Sequence, residues 1–229
     1  MATSGVTSFN PALASFGAYC LGRCNVRRPE ITAGHLADVA LAANLVLSDW
    51  SDDQPNLWAV QLSQVDLVQG TAAYTLPADV LLVLDCYITT TVSGVANDRV
   101  IYGVSRTEYS AYPNKLSQAP PTVFWFDRVV PPVLTVYPAP DGNGPYTLNY
   151  YAVIQDQDAV VGASTQLDLP YRMMSVFADA LAAKLALTYA PDRFAMLDGV
   201  AQKSYARARA SESENVPLAI VPGISGYRR

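Results

Sequence analysis

One histidine, three cysteines and a charged fraction of only 15% bound what this 229-residue chain can do. With His35 alone, a Ser-His-Asp or Cys-His arrangement depends on a single position, whose neighbours Gly34 and Leu36 offer no orienting carboxylate. Its place in the first turn of a helix fits capping or packing instead. Cys20, Cys24 and Cys86 cannot all pair within one chain and are too few for a disulfide scaffold, which suits a reducing cytosol. Cys20 and Cys24 lie four apart on one helical face, but a structural zinc site wants four ligands, so buried small side chains are expected there. No apolar run reaches the roughly 18 residues that span a bilayer, and the start Met-Ala-Thr-Ser-Gly-Val has no signal-peptide pattern. Neither a Gly-x-x-x-x-Gly-Lys-Ser/Thr loop nor a Gly-x-Gly-x-x-Gly after a strand is present, so nucleotide chemistry has no support. Asp141-Gly142-Asn143-Gly144 lacks the glutamate and the sixth-position glycine of a calcium loop. Asp52-Asp53 and Asp156-Gln157-Asp158 sit at region borders without catalytic context. A non-enzymatic module with no metal and no cofactor is expected.

What the chain has in quantity is apolar surface. Hydrophobic residues make up 51%, so part of the thinly charged exterior is expected to face partners rather than water. The net charge of −5 has the wrong sign for a protein that neutralises phosphates, and tight DNA binding is not expected. Charge is also uneven: residues 51–167 hold eleven acids against four bases, residues 1–50 balance, and residues 168–229 carry a net +2.

Periodicity divides the chain the same way. Asn10-Pro11 reads as a helix start, with Leu13, Phe16, Cys20 and Leu21 at helical spacing. Pro29 stops continuation, and Thr32 is a plausible cap for a helix over 33–50 lined by Leu36, Val39, Ala43, Val46, Leu47 and Trp50. Trp58, Val60 and Leu62 then alternate, with a phase slip before Val65 that predicts a bulge. Short β-runs follow at 74–76, 80–91, 99–103, 122–126, 133–137 and 146–153, and Asp141–Gly144 reads as a hairpin loop between the last two. Ser105 with Glu108 predicts one short helix among them. Helix resumes after Leu169-Pro170, with Met174, Phe177, Leu181, Leu185 and Thr188 on one face, and a last helix from Pro191 to about 212 carries Phe194, Leu197, Ala201, Tyr205 and Ala208. The fold class is therefore α+β. Residues 1–50 and 168–214 form a four-helix bundle from the N- and C-terminal helix pairs, residues 51–167 a β-rich, sandwich- or barrel-like insert, and residues 215–229 an extended tail. In that tail Pro217 and Pro222 oppose regular structure among apolar side chains. Ala178, Ala180, Ala182, Ala183 and Ala186 suggest close helix approach, expected between neighbouring subunits.

The order of segments adds a resemblance. A helix ending in Trp50, then Asn56-Leu57-Trp58, Leu67-Val68-Gln69-Gly70, Tyr74-Thr75-Leu76-Pro77-Ala78-Asp79, a β-insert, Val136-Tyr137-Pro138-Ala139-Pro140-Asp141, Leu169-Pro170 and two closing helices span nearly the whole chain. Together they resemble the adaptor proteins (head-to-tail connectors, tail tubular protein A-like) of short-tailed, podovirus-type bacteriophages. That resemblance implies a twelve-subunit ring below the portal protein, part of a DNA ejection conduit that DNA crosses without specific binding, with the insert meeting the tail nozzle or fibres. It implies location at the head-tail junction of the virion after assembly in the host cytoplasm, with no membrane involved. It further implies portal binding by the tail, through Pro217, Leu218, Ile220, Val221, Ile224, Tyr227, Arg228 and Arg229. The other reading of the residues is a β-sandwich module for a carbohydrate or cell-surface ligand, using the fourteen tyrosines and Trp125.

Overall fold

The computed structural model describes residues 5–53, 57–92, 94–162 and 166–211. Over these the chain is α+β, with five α-helices and one curled seven-stranded sheet. Helix α1 (Leu13–Arg23) buries Leu13, Phe16, Gly17, Cys20 and Leu21, the stripe that the spacing predicts. Its entry differs from expectation. Ala12 holds the cap position without a side-chain bond, and Asn10 Nδ2 instead donates to the Leu167 carbonyl at 2.9 Å. With Ala12 extended, Asn10 sits too far back to reach the free amides of the first turn.

Helix α2 (Ala33–Asp53) starts at Thr32 as the spacing suggests. The Thr32 carbonyl accepts from the Leu36 amide at 3.2 Å, and the Thr32 hydroxyl accepts from the His35 amide at 3.4 Å. His35 Nδ1 returns the bond by accepting from the Thr32 amide at 3.0 Å, so histidine stands where a capping box has glutamate. A Cβ on Gly17 of α1 would lie 2.6 Å from Val39 Cγ1 of α2, a separation that only glycine allows.

Helix α4 (Met174–Tyr189) is the hub of the helical part, with α1, α2 and α5 (Phe194–Ser211) all packed on it. Its alanines are used inside the chain. Ala178, Ala182, Ala183 and Ala186 are buried, and the Cys20 and Cys24 thiols donate to the Ala178 and Ala182 carbonyls at 3.3 and 3.6 Å. The face expected to meet a neighbouring subunit is therefore covered by α1, because small side chains let the two backbones approach. A 3₁₀ turn at Pro191–Arg193 reverses the chain into α5, with Pro191 at the first position, where its missing N–H costs nothing.

The strands are β1 (Val60–Leu67), β2 (Ala73–Thr75), β3 (Val80–Val92), β4 (Val95–Gly103), β5 (Val123–Asp127), β6 (Val133–Tyr137) and β7 (Tyr146–Ile154). The short helix α3 (Arg106–Ala111) lies between β4 and β5, its Ser105 cap accepting from the Glu108 amide at 3.1 Å. Sheet order is β1-β7-β3-β4-β5-β6-β2, antiparallel except for a short parallel pairing of Tyr102 and Gly103 in β4 with β5. At that point the sheet changes direction, and its two halves close on one core.

Three local expectations fail for identifiable reasons. No bulge interrupts β1, which pairs with β7 without a break from Val60↔Val153 to Leu67↔Tyr146; as an edge strand it tolerates an exposed Leu62 that breaks the alternation. The register shifts fall in β3 instead, between Val80 and Leu82 and between Val83 and Asp85. Trp58 sits in a 3₁₀ turn, Leu57–Ala59, and its indole donates to Asp156 Oδ1 at 3.0 Å. Asp141–Gly144 forms a turn, with the Asn143 amide donating to Asp141 Oδ1 at 3.0 Å, but it does not close a hairpin. β6 lies between β5 and β2 while β7 lies between β1 and β3, so the turn carries the chain from one half of the sheet to the other. Turn residues specify a local reversal, not the strand that receives it.

Two apolar cores result. One gathers Leu13, Val39, Trp50, Phe177, Leu181 and Leu197 from the helices, together with Ala159 and Leu167. The other gathers Ile88, Ile101, Phe124, Leu134, Leu148 and Tyr150 from both halves of the sheet.

Candidate functional site

His35 and the three cysteines are engaged in structure. His35 caps α2 and packs its ring 5.1 Å from that of Tyr189, whose hydroxyl donates to Asp38. The three thiols are buried. Desolvation pushes Cys20 and Cys86 up to about 12, and burial raises Cys24 as well. A thiolate-directed reagent at pH 8 is expected to label none of the three in the folded protein and all three in denaturant. The same shifts set an alkaline limit. A raised folded pKa favours the native state fully below the unfolded thiol value of 9.0, and that advantage shrinks as pH climbs toward 12. A denaturation midpoint measured between pH 8 and 11 should therefore fall steadily.

Asp156 holds Trp58, and it joins Asp52 and Asp158 in lining a polar crevice of about 310 Å³ between α2 and the end of β7. Asp141 accepts from the Tyr146 hydroxyl at 2.7 Å, and that bond, with the Asn143 amide, holds its carboxyl below the usual range. No group of three His, Cys, Asp or Glu side chains among the described residues is placed to hold a metal ion, and no described helix is long and apolar enough to cross a membrane.

The aromatic residues of the insert form a cluster rather than an open platform. Tyr109 of α3 stacks on Trp125 of β5 with centroids 5.3 Å apart, and Tyr112 stacks on Tyr137 at 4.3 Å. Lys115 Nζ lies 4.9 Å from the Tyr109 ring centre, and burial raises the Tyr109 phenol. One face of each of these four rings is thus taken up by a neighbouring ring, while Tyr102 and Tyr151 elsewhere in the insert stay exposed.

Two grooves mark the helical side. One, about 580 Å³, runs between the N-terminal segment and the start of α4, lined by Phe9, Phe16, Tyr19, Tyr171 and Met174. The other, about 400 Å³, lies between α2, α4 and α5, lined by Trp50, Lys184, Leu187, Phe194, Asp198 and Tyr205. On two of the helices that form it, Leu41 and Leu45 of α2 and Met196 and Val200 of α5 are exposed. Their signal in the sequence is a second apolar stripe on each helix, which gains meaning only once the first stripe is known to be buried. The predicted portal-binding residues Pro217, Leu218, Ile220, Val221, Ile224, Tyr227, Arg228 and Arg229 lie outside the described residues.

Fold and surface define an α+β chain that exposes large apolar side chains on its helices and on its sheet alike. The chain belongs to the SU10 adaptor protein family, whose model matches residues 24–219. It is accordingly a phage structural adaptor and a component of the virion. No curated protein matches it.

Proposed function

We propose that the chain is the ring-forming adaptor, tail tubular protein A-like, that joins the portal of a short-tailed phage to its tail nozzle or fibres, with twelve copies surrounding the ejection conduit. Residues 1–50 and 168–214 act as a four-helix bundle that builds the ring, residues 51–167 as the insert that meets the tail, and residues 215–229 as the portal-docking tail. Assembly takes place in the host cytoplasm. The carrying observation is that one family match starts just after α1 and runs through α2, the whole insert and α4 to past the end of α5. Imaging the purified chain mixed with its portal tests this directly: a ring is expected at one portal face, and portals left bare at saturating protein would overturn it.

A conduit should not hold what passes through it. The net charge of −5, with eleven acids in the insert against four bases, disfavours retention of phosphate. Duplex DNA is expected to bind no tighter than about 10⁻⁴ M at physiological salt, the weak end of non-specific association. Submicromolar binding by fluorescence anisotropy would contradict the conduit role. The carbohydrate-module alternative rests on the insert alone, where Trp125 is stacked on Tyr109 while Tyr102 and Tyr151 stay exposed.

A further inference from the structure

We infer that neighbouring copies meet through the outer face of α2 on one copy and the outer face of α5 on the next, in a parallel, heterologous contact of fixed register. This rests on the proposed ring and names the surface that closes it.

The direction of the helices comes first. Lys184 of α4 pairs with Asp49 of α2 at 2.7 Å, and Tyr189, further along α4, reaches back to Asp38, so α2 and α4 are antiparallel. The turn at Pro191–Arg193 makes α5 antiparallel to α4 in turn. Hence α2 and α5 run parallel to each other.

Their levels along the common direction follow from one contact. Trp50 and Tyr205 stack with centroids 5.5 Å apart and an interplanar angle of 15°, placing these two positions side by side. Helices rise equally per residue. Counting back five residues brings Leu45 level with Val200, and counting back nine brings Leu41 level with Met196. Counting forward two brings Asp52 level with Arg207. All six side chains are exposed and lie outside the buried stripes of their helices.

A rotation about an axis along the helices involves no rise, so it keeps both direction and level from copy to copy. It brings Leu41 opposite Met196, Leu45 opposite Val200, and an acid opposite a base at the far end. Charge assigns the partner. α2 carries four aspartates and no lysine or arginine, whereas α5 carries Lys203, Arg207 and Arg209 against Asp198 alone. Two α2 faces would repel, and an α2 face attracts an α5 face, which makes the contact directional and able to close.

The test uses phage particles assembled with the full chain carrying Leu45→Cys and Val200→Cys together. Mild oxidation is expected to give a covalent ladder of this chain, at least tenfold above either single variant, with the buried native thiols adding little background. Asp52→Lys and Arg207→Glu should each lower incorporation about tenfold, and the two combined should restore it. Particles that contain the double-cysteine chain but yield no ladder, or a charge swap that fails to rescue, would overturn the contact while leaving the adaptor role intact. Absence of the wild-type chain from the head-tail junction would remove the ring itself, and the contact with it.

Discussion

Phe177→Ala is expected to destabilise the folded protein by about 3–5 kcal/mol, the cost of truncating a fully buried aromatic side chain. Phe177 is inaccessible to solvent and stands where three helices meet. Its ring meets that of Phe16 of α1 edge-on at 5.8 Å and that of Trp50 of α2 at 6.1 Å, while Trp50 stacks in turn on Tyr205 of α5. Removing it would leave a cavity beside the rings of Phe16 and Trp50, both buried, so the surroundings have little freedom to collapse inward. Against a typical total of about 5–15 kcal/mol, the loss is a large fraction of stability. Urea denaturation followed by far-ultraviolet circular dichroism measures it, and a loss below about 1 kcal/mol would mean that the hub is not α4. Because the sheet has a core of its own, the helical signal should fall first, with the near-ultraviolet signal of the insert aromatics lagging behind.

The sequence disclosed the elements better than their partners. Buried stripes such as Leu13, Phe16, Cys20 and Leu21 are local in sequence, and so are runs such as Val133–Tyr137, found with the bounds expected. Strand order is not local. The Asp141–Gly144 turn has hairpin chemistry and yet links two strands that never pair, because the receiving edge is chosen by how the sheet closes. The alanines of α4 illustrate the same limit: small residues announce a close neighbour without saying whether it belongs to the same chain, and here it is α1. The start of β4 at Val95, four residues before Arg99, was hidden because this stretch of the β3–β4 hairpin is exposed on both faces and carries no alternation. Of the candidate surface, the exposed leucines of α2 were visible as letters, but their significance depended on knowing that the opposite stripe was already buried.

Deleting residues 215–229 should abolish portal binding while leaving the circular-dichroism spectrum nearly unchanged. Both halves of that expectation have separate grounds. The described residues that build the two cores all precede the deleted segment, the last of them being Ala208. Leu218, Ile220, Val221 and Ile224 each offer roughly 1.5–3 kcal/mol on full burial, and most of that sum is offset by the entropy of ordering a segment interrupted by Pro217 and Pro222. A net of about 3 kcal/mol per tail would be a factor of more than 100 in affinity for each copy, and the proposed ring would repeat it at every subunit. The measurement is co-sedimentation of full-length and truncated chains with purified portal. A truncated chain that still co-sediments would sink the docking role. A chain whose last fifteen residues are scrambled separates the remaining explanations: it keeps the apolar content and the Arg228–Arg229 charge count but loses the order. If scrambling restores binding, the tail is merely adhesive. If it binds no better than the truncation, the sequence Pro217 to Arg229 fits a shaped site, and the energy of the joint lies in that fit.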